Sequence, residues 1–364
     1  MHVMLFSLEA WDDVWRRNQH LVANLVSSSL VDTVTFVEPP LLRRRCETWS
    51  PVAGVQVVRP WMAVPKRLGG YRFAVRDLLR RSEPVDVVWV NDPAFGVHAT
   101  RAAPRSVYDV TDDWRSFSFP PRVLRRLVRA ETALASSAAT VVCSDTLRDR
   151  WRQRYGVEPA VVRNGVDEAV WSAASARSLP GRGPHVGYVG TLHPDRLDVD
   201  LVRAVARDGR VGTLHLVGPD ALDDASRARL AAEPNVRLHG PVPAAEVPSW
   251  LLAMDVLVSP HLLNDFTASL DAIKAREYVV SGRPVVATPT SGFDLLPDGA
   301  ACLAVGETFV ERVVEALEAP PLRRGIEVPP EWTWAARARQ FHAALAGPPL
   351  NDPRGRIPAE RRQT

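Results

Sequence analysis

Cysteine is scarce in this chain: Cys46, Cys143 and Cys302 are the only three in 364 residues, far apart and without Cys-x-x-Cys spacing. That excludes a disulfide framework or a structural zinc site and suits a reducing compartment. No stretch approaches the roughly 18 unbroken apolar residues of a membrane-spanning helix. The opening Met1–Phe6 has neither a basic n-region nor a small-residue cleavage site, so it is expected to be a buried strand and not a secretory signal. The nine histidines make no His-Glu-x-x-His or similar cluster, and no metal ligands are expected. There is no Gly-x-Ser-x-Gly, no Walker A lysine loop and no correctly placed Gly-x-Gly-x-x-Gly. Net charge is only +3, without a concentrated basic stripe on a recognisable reading element, so nucleic acid is not an expected partner.

What is present fits a globular enzyme. Hydrophobic residues make up 46% and charged ones 24%, which excludes global disorder. The length is more than one core usually organises, so two domains are expected. Short apolar runs (His2–Phe6, Val34–Val37, Val55–Val58, Val85–Val90, Ser106–Val110, Thr140–Cys143) read as buried strands. Amphipathic stretches fall between them at Trp15–Ser29, Tyr71–Arg81 and Val123–Ser137. After a Ser/Ala/Gly/Pro-rich stretch the alternation restarts at His185–Val189 and runs to a helix at Val310–Glu318. The boundaries read as an N-terminal domain 1–170, a linker 171–184, a C-terminal domain 185–330, a C-terminal helix 331–347 that can pack back on the first domain, and a disordered tail 348–364. Alternating strands and helices imply α/β domains with parallel sheets.

One segment carries most of the chemical information: Ser269-Leu-Asp271-Ala-Ile-Lys274-Ala-Arg276-Glu277-Tyr278-Val-Val-Ser-Gly282-Arg-Pro284-Val-Val-Ala-Thr288. Asp271, Lys274 and Glu277 recur every three residues, on one face in the first turns of an expected helix. A helix N-terminus has unpaired N–H groups and partial positive charge, a ready diphosphate site. A nearby lysine adds full charge, and a carboxylate one turn on can accept from a ribose diol. Asp198-Val-Asp200 spells an Asp-x-Asp metal motif, but it opens an expected helix and is read as an N-cap with a first-turn acid.

The segment resembles the nucleotide-sugar motif of GT-B-fold glycosyltransferases, especially family 4 and relatives with a Lys-x-x-Glu-Tyr variant. Three further stretches agree in order: Arg163-Asn164-Gly165-Val166-Asp167, Val186-Gly187-Tyr188-Val189-Gly190-Thr191, and Asn235 to Val242 followed by Trp250 to Pro260. The resemblance implies two Rossmann-like domains facing across a cleft, and transfer of a hexosyl or related sugar from a nucleotide-diphosphate sugar, with retention and without metal or other cofactor. It also implies a donor site of Lys274 and Arg196 on the diphosphate, Glu277 on the ribose, Gly240 and Val242 beside the base, and Thr191 where relatives carry an arginine. The usual second Glu is Ser269 here, which leaves Asp271 as its nearest substitute.

The N-terminal domain is expected to hold a glycan, lipid-linked or small-molecule acceptor. Trp11 and Trp15 offer stacking surfaces, and Arg17 and Asn18 lie in the loop after the first strand. Asp92 and Asp112, after strand ends, are the positions for a protein base if the reaction inverts. Up to Ser172 the chain has 24 basic and 19 acidic residues, and Arg122, Arg125, Arg126 and Arg129 recur at helical spacing. Peripheral contact with the inner face of a membrane is therefore an expectation for an otherwise cytoplasmic protein. A non-hydrolysing nucleotide-sugar epimerase and a non-catalytic nucleotide-sugar-binding paralogue remain alternatives; the base, the sugar, the acceptor and the oligomeric state are open.

Overall fold

The computed structural model describes residues 1–42, 45–319 and 327–347; the expected tail 348–364 lies outside the described residues. By contact density the chain divides into two units. The first comprises Met1–Asp12, Arg16–Arg163 and the chain from Ala335 on; the second comprises Asp13–Trp15 and Asn164–Trp334.

The first unit contains strands β1 (His2–Phe6), β2 (Thr33–Val37), β3 (Glu47–Trp49), β4 (Val55–Arg59), β5 (Val87–Val90), β6 (Arg105–Val110), β7 (Ala139–Val142) and β8 (Ala160–Val161). Between them run helices α1 (Arg17–Ser27), α2 (Gly70–Arg81), α3 (Pro93–Gly96), α4 (Pro121–Ser137) and α5 (Asp145–Tyr155). The strands form one sheet in the order β3-β4-β2-β1-β5-β6-β7-β8, parallel except for β3. Strands buried on both faces read as continuous apolar runs, as Val87-Val-Trp-Val90 does. The helices are bounded by identifiable signals. Ser144 caps α5 by accepting from Leu147 N at 3.2 Å, and Gly156 ends it in the left-handed region at φ 64°.

The second unit holds α6 (Glu168–Ser172), β9 (His185–Val189), α7 (Val199–Arg207), β10 (Thr213–Val217), α8 (Asp224–Ala231), β11 (Val236–Gly240), α9 (Val247–Ala253), β12 (Val256–Ser259), α10 (Ile273–Val280), β13 (Val285–Ala287), β14 (Cys302–Leu303) and α11 (Gly306–Glu318). Its sheet runs β11-β10-β9-β12-β13-β14, all parallel. Asp198 caps α7 by accepting from Leu201 N at 2.9 Å, so the Asp-x-Asp pattern is a helix start. The last helix, α12 (Trp334–Leu345), returns to the first unit: Phe341 packs on Trp89 with ring centroids 4.4 Å apart, and Arg105 Nε donates to Ala344 O at 2.7 Å.

In each sheet the strand order reverses at one point, between β1 and β5 and between β9 and β12. Open α/β sheets place ligands outside the carboxyl ends of the strands at such a switch point. Ser7, Asn91 and Asp92 follow β1 and β5; Gly190 and His261 follow β9 and β12.

Candidate functional site

Half of the carboxyl edge of the second sheet, at β9, β10 and β11, is built from glycines. Gly190, Gly218 and Gly240 end β9, β10 and β11, all with positive φ. A Cβ on Gly218 would lie 2.2 Å from Gly190 O, and one on Gly190 would lie 2.5 Å from Lys274 Nζ. Glycine at 190 therefore makes room for the lysine. Tyr278, one turn after Lys274, fixes α10 against this edge: Val189 N donates to its hydroxyl at 2.8 Å.

Two of the expected positive groups converge here. Lys274 Nζ lies 3.7 Å from the centroid of the Tyr188 ring and 3.4 Å from His261 Nε2. Burial, and then the positive charge of Arg196, hold the lysine well below its ordinary pKa. The Arg196 guanidinium stacks over Phe266 at 4.9 Å, and its Nε is buried without a partner among the described residues. Neither side chain is in an ion pair among the described residues, and Glu277 is the negative group that acts on Lys274. Thr191 is half-buried, and its carbonyl accepts from the Tyr188 hydroxyl at 3.2 Å.

Glu277 lies on the next turn of α10, half-buried and without a hydrogen-bond partner among the described residues. Burial pushes its pKa up to about 7, Lys274 opposes that rise and Asp167 adds to it. Gly240 has open space where a Cβ would stand, and Val242 packs half-buried against the apolar layer around Trp250. Thr191, Arg196, Lys274 and Glu277 are thus brought together, with Gly240 on the same sheet edge.

Asp271 is a correction. The helix begins at Ile273, so Asp271 precedes it; its carboxylate pairs with Arg276 at 2.9 Å and accepts from Asn164 N. Buried and engaged on both oxygens, it ties the start of α10 to the Asn164–Gly165 turn. Ser269 is fully buried and donates to Phe266 O at 2.8 Å.

The first unit corrects three expectations. Arg17 is buried in an ion pair with Asp109 at 3.0 Å, inside the sheet-edge packing and not on an open loop. Asn18 is buried as well, its amide donating to Ser7 Oγ at 3.0 Å and Asn91 Oδ1 at 2.8 Å; it ties the ends of β1 and β5 together. Trp15 groups with the second unit, in a segment whose Asp13 carbonyl accepts from Ala244 N at 3.0 Å. Trp11 stays in the first unit, half-buried and edge-on to Phe36 at 5.1 Å.

Asp92 caps α3, one oxygen accepting from Ala94 N at 2.8 Å and Phe95 N at 3.1 Å, while burial raises its pKa. Asp112 is half-buried and accepts from Thr111 Oγ1 at 3.0 Å. Among the described residues no three His, Cys, Asp or Glu side chains converge as a metal site would require.

Sequence reasoning missed His261 and the structural use of Tyr278. It also missed an aromatic stack after β6, where Phe117 lies 5.6 Å from Trp114 and 5.3 Å from Phe119. The tyrosine was visible in the motif. His261 is a lone histidine whose only sequence signal is its place just past a strand end.

Known proteins share this architecture. Residues 19–170 match the family model described as Glycosyltransferase Family 4, and residues 183–319 the one described as Glycosyl transferases group 1. A protein of Bacillus subtilis (strain 168) named for a glycosyltransferase of teichuronic acid biosynthesis is 29% identical over 241 residues, 60% of each chain. The D-inositol 3-phosphate glycosyltransferase of Kineococcus radiotolerans is 28% identical over 208 residues, 50% of this chain and 46% of its own. The chain thus spans about half to six-tenths of the length of these curated relatives. Among solved structures, sucrose-phosphate synthase from Thermosynechococcus elongatus superposes with a TM-score of 0.69 at 16% identity, over 93% of this chain and 97% of that one. Anabaena HepE in complex with UDP-glucose gives 0.63 at 18% identity, over 94% of each chain.

Proposed function

Starting from the premise that the chain has the two-domain fold of the GT-B glycosyltransferases, with a glycosyltransferase family model matched in each half, we propose that it transfers a hexosyl or related sugar from a nucleotide-diphosphate donor to an acceptor in glycan biosynthesis. The observation that carries this reading is the pairing, on one helix, of Lys274 beside Arg196 with Glu277 one turn on, which has no hydrogen-bond partner among the described residues. Two basic side chains without an ion-pair partner among the described residues suit a diphosphate. The amides at the start of α10, which no side chain caps, add partial positive charge. Glu277 supplies an acceptor for a ribose diol. The solved relative holding UDP-glucose and the Lys-x-x-Glu-Tyr resemblance both favour such a donor.

In the proposed reaction the bond from the anomeric carbon to the phosphate oxygen breaks and one to an acceptor oxygen forms. Negative charge then gathers on the leaving phosphate. Lys274, Arg196 and the helix start are in place before that charge develops and stabilise it as the bond breaks, and fixed charge of this kind is the largest catalytic contribution in many enzymes. With retention, the leaving phosphate takes the acceptor proton. Inversion would instead need a protein base, and Asp92 and Asp112 are the residues to test.

The test is a thermal-shift screen over uridine, guanosine, adenosine and thymidine diphosphates and their sugars, followed by turnover with the stabilising donor. A ligand bound only by the folded state raises apparent stability. We expect one base to stabilise strongly and transfer to persist in excess EDTA. Release of an isomerised sugar without acceptor would replace this reading by an epimerase. Binding without turnover on any acceptor would replace it by a sensor, and activity lost to EDTA and restored by Mn²⁺ would end the metal-free mechanism.

The proposal includes surface contact through the first unit. On α5 the arginines 148, 150, 152 and 154 are all in ion pairs. By contrast, Lys66, Arg67, Arg72, Arg76 and Arg80 on and before α2, and Arg122, Arg125, Arg126 and Arg129 on α4, are in none among the described residues. Arg72, Arg76, Arg80 and His98 line a groove of about 500 Å³ floored by Val75 and Leu79. The exposed Leu68 stands beside Lys66 and Arg67. Such a face attracts anionic headgroups by about 1 kcal/mol per cation at low salt. We expect co-sedimentation with anionic liposomes that fades as salt is raised and falls when Arg72, Arg76 and Arg80 are changed to Gln. Equal binding to neutral liposomes would contradict an electrostatic contact.

A further inference from the structure

The His261 ring is in contact with Lys274, and the donor reading above gives it no task. It sits at the carboxyl end of β12, on the switch point of the second sheet. Its backbone is pinned there: His261 N donates to Thr288 Oγ1 at 3.0 Å, which gives a use to the threonine that ends the Pro-Val-Val-Ala-Thr run. The ring is buried, with Nε2 3.4 Å from both Lys274 Nζ and the Tyr188 hydroxyl. Its Nδ1 is buried without a partner among the described residues.

The hydrogen-bond inventory narrows the arrangement. The Tyr188 hydroxyl is 3.2 Å from Thr191 O, an atom that can only accept, so its hydrogen is directed there. The hydroxyl oxygen can still accept, so Nε2 either donates to Tyr188 or accepts from Lys274. An ammonium has three donors and no acceptor, so a protonated Lys274 requires Nε2 to present its lone pair and the ring hydrogen to sit on Nδ1.

We propose that His261 is a positioning residue for the diphosphate-binding lysine: its neutral imidazole accepts from the Lys274 ammonium and aims that charge at the donor's phosphates. The inference rests on the donor reading for what Lys274 binds, but not for the contact itself. The charged and titratable groups facing the pair are Arg196, Tyr188 and Glu277, besides Lys274. Burial and then the positive charges of Lys274 and Arg196 keep the imidazole neutral at ordinary pH. A protonated ring would add to Arg196 in opposing the lysine's ionisation and has no lone pair to accept with, so only a neutral imidazole serves here. Burial tends to discharge Lys274; accepting its hydrogen favours the charged form that phosphates need.

Two kinds of measurement test this. In the wild-type protein without ligand, heteronuclear NMR of the imidazole should show His261 protonated on Nδ1 and bare on Nε2 while Lys274 is charged. The opposite tautomer, or an imidazolium at neutral pH, would overturn the proposal whether or not any donor binds. With the donor found by the screen, His261→Phe should raise the donor KM about tenfold. It should also move the basic limb of the pH profile to lower pH, because Lys274 loses its acceptor. His261→Gln places an amide oxygen near the same point and should recover most of the loss. A folded His261→Phe protein with unchanged donor KM and unchanged pH profile would overturn the proposal, as would His261→Gln impaired equally in both. If no nucleotide binds the wild type, the donor reading fails while the tautomer result still stands or falls by itself.

Discussion

Replacing Lys274 by Ala should lower kcat by about a hundred- to a thousandfold, the cost typical of removing one fixed group that stabilises developing transition-state charge. The effect belongs to the transition state because charge on the leaving phosphate grows as the glycosyl bond breaks. Lys274→Arg should not rescue, since the lysine tip is held between the Tyr188 ring and the glycine at 190, where a planar guanidinium has no room. Gly190→Ala reaches the same result from the other side. Its Cβ would lie 2.5 Å from Nζ and 3.0 Å from Cε, on a residue whose φ of 148° side chains rarely adopt. Steady-state kinetics with saturating donor, beside melting curves to show folded protein, is the check. Wild-type kcat in Lys274→Ala would remove the lysine from the chemistry.

Glu277 governs the second large effect, on binding. Glu277→Ala should weaken donor affinity about 10- to 150-fold, the range of a charge-assisted hydrogen bond of about 1.5–3 kcal/mol. The residue also predicts a pH dependence with a definite sign. Its pKa is raised from 4.5 to about 7 in the free protein, so near neutrality a fraction carries a proton. Ribose hydroxyls donate to the ionised form, so binding should release a proton and tighten as pH rises through about 7. Fold stability should run the other way. Between the two values the folded chain holds a proton that the unfolded chain has lost, so stability declines as pH rises through that window. Glu277→Gln should flatten both trends. Calorimetric affinity measured on either side of neutrality decides it, and a pH-independent wild type would argue against a Glu277 that holds a proton near neutrality.

The sequence shows the alternation of valine-rich strands and helices plainly, because parallel strands buried on both faces leave uninterrupted apolar runs. Lys274 and Glu277 were equally legible, three residues apart on one helix. What escaped has physical reasons. The edge strands β3, β8 and β14 are only two or three residues long and carry no period. Helix α5 buries only Leu147 and Trp151 among many charges, so its amphipathic signal is faint. Arg17 looked like a ligand group because its partner Asp109 stands 92 residues away, and Asp271 because the bend that turns it onto Arg276, five residues on, and onto Asn164, 107 residues back, has no sequence signal. A charge read locally looks available, and only the fold shows what neutralises it. His261 had the reverse problem: nothing in its neighbourhood announces that a lysine thirteen residues on will meet it.

The return of α12 to the first unit sets an order of events during synthesis. The second unit is almost continuous, Asn164–Trp334 with only Asp13–Trp15 added, whereas the first is completed by residues after Ala335. A ribosome adding about 5–20 residues per second delivers Phe341 and Ala344 many seconds after Trp89 and Arg105, the residues they pack against. The earlier unit must therefore wait with an apolar indole and a guanidinium uncovered while the later one is made. A nascent chain stopped before residue 334 should expose that patch to chaperones, and release of the last helix should close it.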